Sequence, residues 1–176
     1  MGQAMSFGLT QYDVEELMEY CGGKFSQAEI EGLYKRFRSL DRGHKGYISA
    51  EEFMNIPELS INPLARRLER MFETVNFKDF VGILAAFSKR ASRDDRVRFI
   101  FTVFDMDGDG HVGAEDLDLM LRQLAGQSLS EEDISTVVKK ALQEASTPAA
   151  GLSYDDFKKL LQGSQLLMQV EVPSDT

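Results

Sequence analysis

Residues 105–116 read DMDGDGHVGAED, and this stretch decides the fold. Asp105, Asp107 and Asp109 take the first, third and fifth places of a twelve-residue loop, and Gly110 the sixth. That is the spacing of an EF-hand calcium loop. A hard dication takes several oxygens at once, and alternate carboxylates on a tightly curled backbone converge on one point. Gly110 permits the positive φ that the bend requires. His111 at the seventh place offers its backbone carbonyl, because calcium takes oxygen ligands rather than imidazole. Val112, at the eighth, is the apolar residue that pairs with a neighbouring loop. An acidic glycine-rich turn without a metal gives no reason for three aspartates at alternate places.

The twelfth place departs from the pattern. Asp116 stands where the usual loop has a bidentate glutamate, and it is one methylene shorter. Gly113 at the ninth place has no side chain to offer, so water must serve there. The expected metal set is therefore Asp105, Asp107, Asp109, the His111 carbonyl and Asp116, holding about one calcium per chain. Binding should be weaker than at a full loop, with magnesium competing.

Outward from this loop, one half-motif recurs: an aliphatic residue, three others, an acid, then a large apolar residue. It occurs at 48–53, 75–80, 112–117 and 152–157, each time opening an amphipathic pattern. Four copies predict an all-α fold of two lobes, each a pair of helix–loop–helix units joined through a short two-strand contact at the eighth places. Only one loop has its ligands. Residues 41–52 (DRGHKGYISAEE) keep Asp41, Gly46, Ile48 and Glu52 at places one, six, eight and twelve, but have Gly43 at the third and Lys45 at the fifth. The Lys45 ammonium is placed to stand where an ion would be. The second loop has lost its first half, and the fourth, around residues 145–151, has no carboxylate at places one, three or five.

Helix starts are marked by Thr10 with Asp13, Ser26 with Glu29, Asn76 with Asp79, Ser92 with Asp95 and Ser130 with Asp133. Pro63 opens another helix, which carries Leu64, Leu68, Met71 and Phe72. Apolar stripes follow at helical spacing: Val14, Leu17, Met18 and Cys21; Ile30, Leu33, Tyr34, Phe37 and Leu40; Val97, Ile100, Phe101 and Phe104. Residues 88–95 (SKRASRDD) form a charged, core-poor junction. The expected organisation is an arm with the first helix (1–23), a degenerate N-terminal pair (24–88), a C-terminal pair with one working loop (89–162) and a tail (163–176). The tail is too apolar for a plain solvated end, and 166–172 is the candidate cover for a groove.

The net charge of −9 over 176 residues argues against nucleic acid as a partner, since phosphate contacts need a basic surface. A single cysteine, Cys21, suits a reducing compartment, and with no secretory leader or membrane-length apolar run the expected location is cytoplasmic. Met1-Gly2 fits the myristoylation pattern at Gly2, but no Lys or Arg follows before residue 24, so any membrane association should be weak and reversible. Catalysis has no support: His44 and His111 both lie in loops without a paired nucleophile, and no phosphate-binding glycine loop is present.

Nearly the whole chain resembles the calcineurin B family, which includes the phosphatase regulatory subunit, the calcineurin-homologous proteins and the plant calcineurin B-like sensors. The resemblance is carried by Met1-Gly2, Pro57-Glu58-Leu59 with Asn62-Pro63-Leu64, Asn76-Phe77-Lys78-Asp79-Phe80 and Phe104-Asp105-Met106-Asp107. It implies a calcium-binding regulatory subunit whose groove holds an amphipathic helix of a phosphatase catalytic subunit, a kinase or a Na⁺/H⁺ exchanger, with myristate at Gly2. One working loop instead of four is closer to the calcineurin-homologous type, or to a constitutive light chain with little calcium switching.

Overall fold

The structure, a computed structural model, describes residues 8–56, 65–71 and 74–163. Gly2, the segment 57–64, Phe72 and the tail stretch 166–172 lie outside the described residues. In chain order the elements are α1 (Gln11–Tyr20), α2 (Gln27–Leu40), β1 (Tyr47–Ser49), α3 (Ala50–Met54), α4 (Ala65–Met71), β2 (Thr74–Asn76) and α5 (Phe77–Ala85). They continue with α6 (Arg93–Phe104), α7 (Ala114–Ala125), α8 (Glu131–Gln143) and α9 (Tyr154–Leu160).

Local chemistry fixes where most of these helices begin. Reciprocal capping boxes join Thr10 to Asp13, Ser26 to Glu29, Ser49 to Glu52, Ser92 to Asp95, Ser130 to Asp133 and Ser153 to Asp156. Each satisfies backbone donors that the first turn leaves without intrahelical partners.

The loops are tied in pairs at their eighth places. Ile48 faces Val75 in the antiparallel β1–β2 ribbon. Val112 and Leu152 exchange two backbone hydrogen bonds of 2.9 and 3.0 Å. All four residues are buried. The pairing therefore does not depend on whether a loop can hold metal, because it is made from main chain and aliphatic side chains.

One apolar cluster gathers Ile30, Leu33, Phe37, Phe53, Phe80 and Leu84; a second gathers Val97, Ile100, Phe101, Leu117, Ile134 and Phe157. Phe101 and Phe104 both set their rings against Phe157, at 5.4 Å between centroids. Helix α6 differs from the single-stripe expectation. Its Val103 is fully buried in the first cluster, together with Met120 of α7, while Phe104 packs against both clusters. The helix is apolar on two sides because it lies between the lobes.

The junction also differs from expectation. Ser88 and Ala91 are buried. Ser88 Oγ donates to the Lys24 carbonyl at 3.0 Å, Arg90 Nη1 donates to that carbonyl at 3.1 Å, and Lys24 pairs with Asp95 at 3.1 Å. The polar and charged side chains of this stretch pin it to the turn after α1.

Candidate metal centre

The third loop turns on two left-handed glycines, Gly108 (φ 73°) and Gly110 (φ 85°). Its carboxylates are aimed by the loop's own amides. Asp105 accepts from Gly108 N at 2.9 Å and from Gly110 N at 3.0 Å. Asp107 accepts from Asp109 N at 3.1 Å, and Asp109 from His111 N at 2.8 Å. One oxygen from each of Asp105, Asp107 and Asp109 lies within 4.8 Å of the others. Oxygens bound to one calcium at about 2.4 Å can be separated by at most about 4.8 Å. The three separations are compatible with one calcium sphere, and two of the residues are exposed to solvent.

Asp116 is placed apart from this group. It is 8% exposed, its Oδ1 accepts from Met106 N at 3.1 Å, and its Oδ2 accepts from Gly113 N at 2.9 Å. Its carboxylate thus braces the second place of the loop against the ninth. The inert fourth loop repeats the arrangement: Asp156 accepts from Ser146 N at 3.0 Å and Ser153 N at 3.3 Å, and from both serine hydroxyls. Those donors, with the Ser146 hydroxyl first, hold its carboxyl well below the usual range. A twelfth-place aspartate thus ties the second place to the ninth in both loops of this pair. The His111 imidazole is partly exposed, with Nδ1 3.9 Å from Asp109 Oδ1.

The first loop has the same backbone and a different filling. Asp41 is 1% exposed and accepts from Lys45 N at 2.9 Å and Gly46 N at 2.7 Å. The Lys45 ammonium sits 2.9 Å from Glu52 Oε2, which also accepts from Ser49 N. The Ser49 amide and then Lys45 pull the Glu52 carboxyl down to about 2. A tethered cation thus occupies the loop, as Lys45 at the fifth place implied. His44 at the fourth place adopts φ 49°, a left-handed conformation that Gly108 takes in the third loop.

Comparison with known proteins agrees with this anatomy. A family model described as EF-hand domain pair matches residues 74–124, and one described as EF hand matches residues 33–57. The chain is 37% identical over 160 residues to the calcineurin B protein of Naegleria gruberi, covering 88% of this chain and 89% of that protein. It is 39% identical over 151 residues to the type 2 calcineurin B protein of Dictyostelium discoideum, covering 82% of this chain and 81% of that one. The chain belongs to the calcineurin B family. The calcineurin B protein of Schizosaccharomyces pombe is similar too, at 31% identity over 156 residues, 85% of this chain and 90% of that one. As an EF-hand member of this family the protein binds calcium.

Beside the metal loop, α7 and α8 enclose an apolar cleft of about 620 Å³, lined by Ala114, Glu115, Leu119, Val138, Lys139 and Leu142. Leu119 is 47% exposed at its edge, and Val137 is exposed nearby. Sequence reading placed a groove in the molecule but did not assign it to this helix pair. Nor did it single out Arg67, which reaches from α4 to the Asp105 carbonyl at the loop's entry. No helix among the described residues is long and apolar enough to cross a membrane.

Proposed function

We propose that this chain is the non-catalytic, calcium-binding subunit of a calcineurin-type phosphatase, and that it docks an amphipathic helix of the catalytic subunit. The observation that carries the reading is the α7–α8 cleft immediately beside a preorganised carboxylate triad. An apolar face of a partner helix, with anchors spaced three or four residues apart, suits a cleft of that kind. Asp105, Asp107, Asp109, the His111 carbonyl and Asp116 are the proposed ligands of one calcium. Asp116 is one methylene shorter than the usual glutamate and lies outside the group formed by Asp105, Asp107 and Asp109, which supports weak binding with magnesium in competition. The N-terminal pair (24–88) would be a fixed, metal-free lobe and the C-terminal pair (89–162) the responsive one. Cytoplasmic location and myristate on Gly2 belong to the same proposal, supported by a lone cysteine and the Met1-Gly2 start.

A second reading is favoured by one observation, the Lys45–Glu52 pair that fills the first loop. A lobe locked by its own ammonium suits a constitutive light chain of a kinase or exchanger. Capture with the tagged protein in calcium and in chelator separates the two. Recovery of a phosphatase catalytic subunit, lost in Leu119→Asp without a change in melting temperature, supports the first. Recovery of a kinase or exchanger, indifferent to calcium, overturns it.

A further inference from the structure

Besides its pairing with the fourth loop, the third loop is met at its entry by a cation from the other lobe. Arg67 on α4 reaches the end of α6, where its Nε donates to the Val103 carbonyl at 2.9 Å and its Nη2 to the Asp105 carbonyl at 3.4 Å. Carbonyls at a helix C-terminus have no intrahelical partners and carry the negative end of the helix dipole. Helix α6 has no basic residue in its own last turn, so this cation is imported. Burial lowers the pKa of the guanidinium, while the carboxylates of Asp116 and then Asp105 act to raise it. Arginine remains charged at any ordinary pH.

We propose that Arg67 sets the calcium affinity of the 105–116 loop: it is a fixed positive charge beside the ligands that holds the loop's entry in place while opposing a dication. The proposal rests on reading 105–116 as the calcium site. Two effects compete, and their state dependence decides between them. The hydrogen bonds to Val103 and Asp105 go to main-chain carbonyls that are not among the calcium ligands, so they are open to both the free and the bound loop and largely cancel from the affinity. Repulsion between the guanidinium and the ion exists only in the bound state. Arg67 Nη2 contacts the carbonyl of Asp105, the loop's first residue, well inside a Debye length of about 8 Å, so screening does not remove that repulsion.

Linkage gives the consequence. If Arg67 lowers affinity for calcium, calcium lowers the hold of Arg67 on the end of α6 by the same factor. Ion binding in the C-terminal pair thereby loosens a contact made by the metal-free N-terminal pair. This is a route by which a lobe without ligands of its own can respond to the ion.

The test compares Arg67→Gln with Arg67→Lys in the full chain, titrating calcium alone by calorimetry and melting the calcium-free proteins. Both lose the planar fork and should melt lower, but only the glutamine variant loses the charge. Arg67→Gln should bind calcium about three- to tenfold more tightly than Arg67→Lys, and the gap should shrink at high salt. Equal affinities, or weaker binding by the glutamine variant, overturn the proposal, because a purely structural cap would lower melting temperature and affinity together. Should Arg67→Gln fail to fold, Arg67→Lys still decides: affinity within twofold of the native protein supports the charge argument, and a tenfold loss overturns it. Absence of calcium binding by the native protein would instead sink the underlying site assignment.

Discussion

Replacing Gly151 by alanine tests whether the inert fourth loop braces the third. Gly151 has φ 101°, and a Cβ there would lie 2.6 Å from the Val112 carbonyl oxygen and 2.9 Å from Gly113 Cα. Both neighbours are main chain and cannot swing aside, so the loops must part by roughly 0.6–0.8 Å to reach ordinary contact. The two Val112–Leu152 hydrogen bonds, at 2.9 and 3.0 Å, would then stretch beyond useful length. Losing them costs about 1 kcal/mol each. The left-handed backbone adds about 1 kcal/mol for a residue with a side chain. The total is about 3 kcal/mol, or a fall in melting temperature of about 6–12 °C for a chain of this size. About half of that cost falling on the ion-ordered loop would weaken calcium binding about tenfold. Urea unfolding and calorimetric calcium titration measure the two effects. Gly126→Ala is the control: its φ is 55° with nothing within 4 Å of the added carbon, so it costs only the backbone term and leaves calcium binding alone. An unchanged urea midpoint and a calcium affinity within twofold of native for Gly151→Ala would refute the idea that the two loops support each other.

Further outcomes follow from the loop geometry. Asp105→Ala should abolish calcium binding seen by calorimetry, whereas Glu52→Gln should leave the stoichiometry at about one, because the Lys45 ammonium already fills the first loop. Glu52 also predicts a pH dependence. Its folded pKa of about 2 lies below the ordinary 4.5, so its contribution is complete above pH 4.5 and is lost as pH falls toward 2. Acid titration of melting temperature should therefore be shallower for Glu52→Gln in that window, and parallel curves would contradict the assignment. Asp116→Glu should tighten calcium binding and reduce magnesium competition, since the longer side chain can reach the ion from a position now spent on Met106 N and Gly113 N. No gain in affinity would mean that the twelfth place limits nothing.

Much of this protein is legible in its sequence because EF-hand chemistry is local. A carboxylate at every second place, a glycine at the bend, and a serine three residues before an acid each act through hydrogen bonds spanning two to five residues. The positions of Asp105, Asp107 and Asp109 and the filling of the first loop by Lys45 follow from such spacing, and the recurring half-motif marks Ile48 and Val75 as partners. The twelfth place was only half legible. Spacing shows that Asp116 is short, but only the folded loop shows its two oxygens turned to the amides of Met106 and Gly113. What lies between the lobes was hidden altogether. Val103 turns away from the stripe on which Phe101 and Phe104 lie, and Arg67 meets the end of α6 from a helix 36 residues earlier. Contacts of that kind depend on how helices are stacked, and no periodicity within either helix records them. The sequence by itself determined which loop carries carboxylates at three alternate places. The stacking of the two lobes decided that an arginine from the N-terminal half stands beside it.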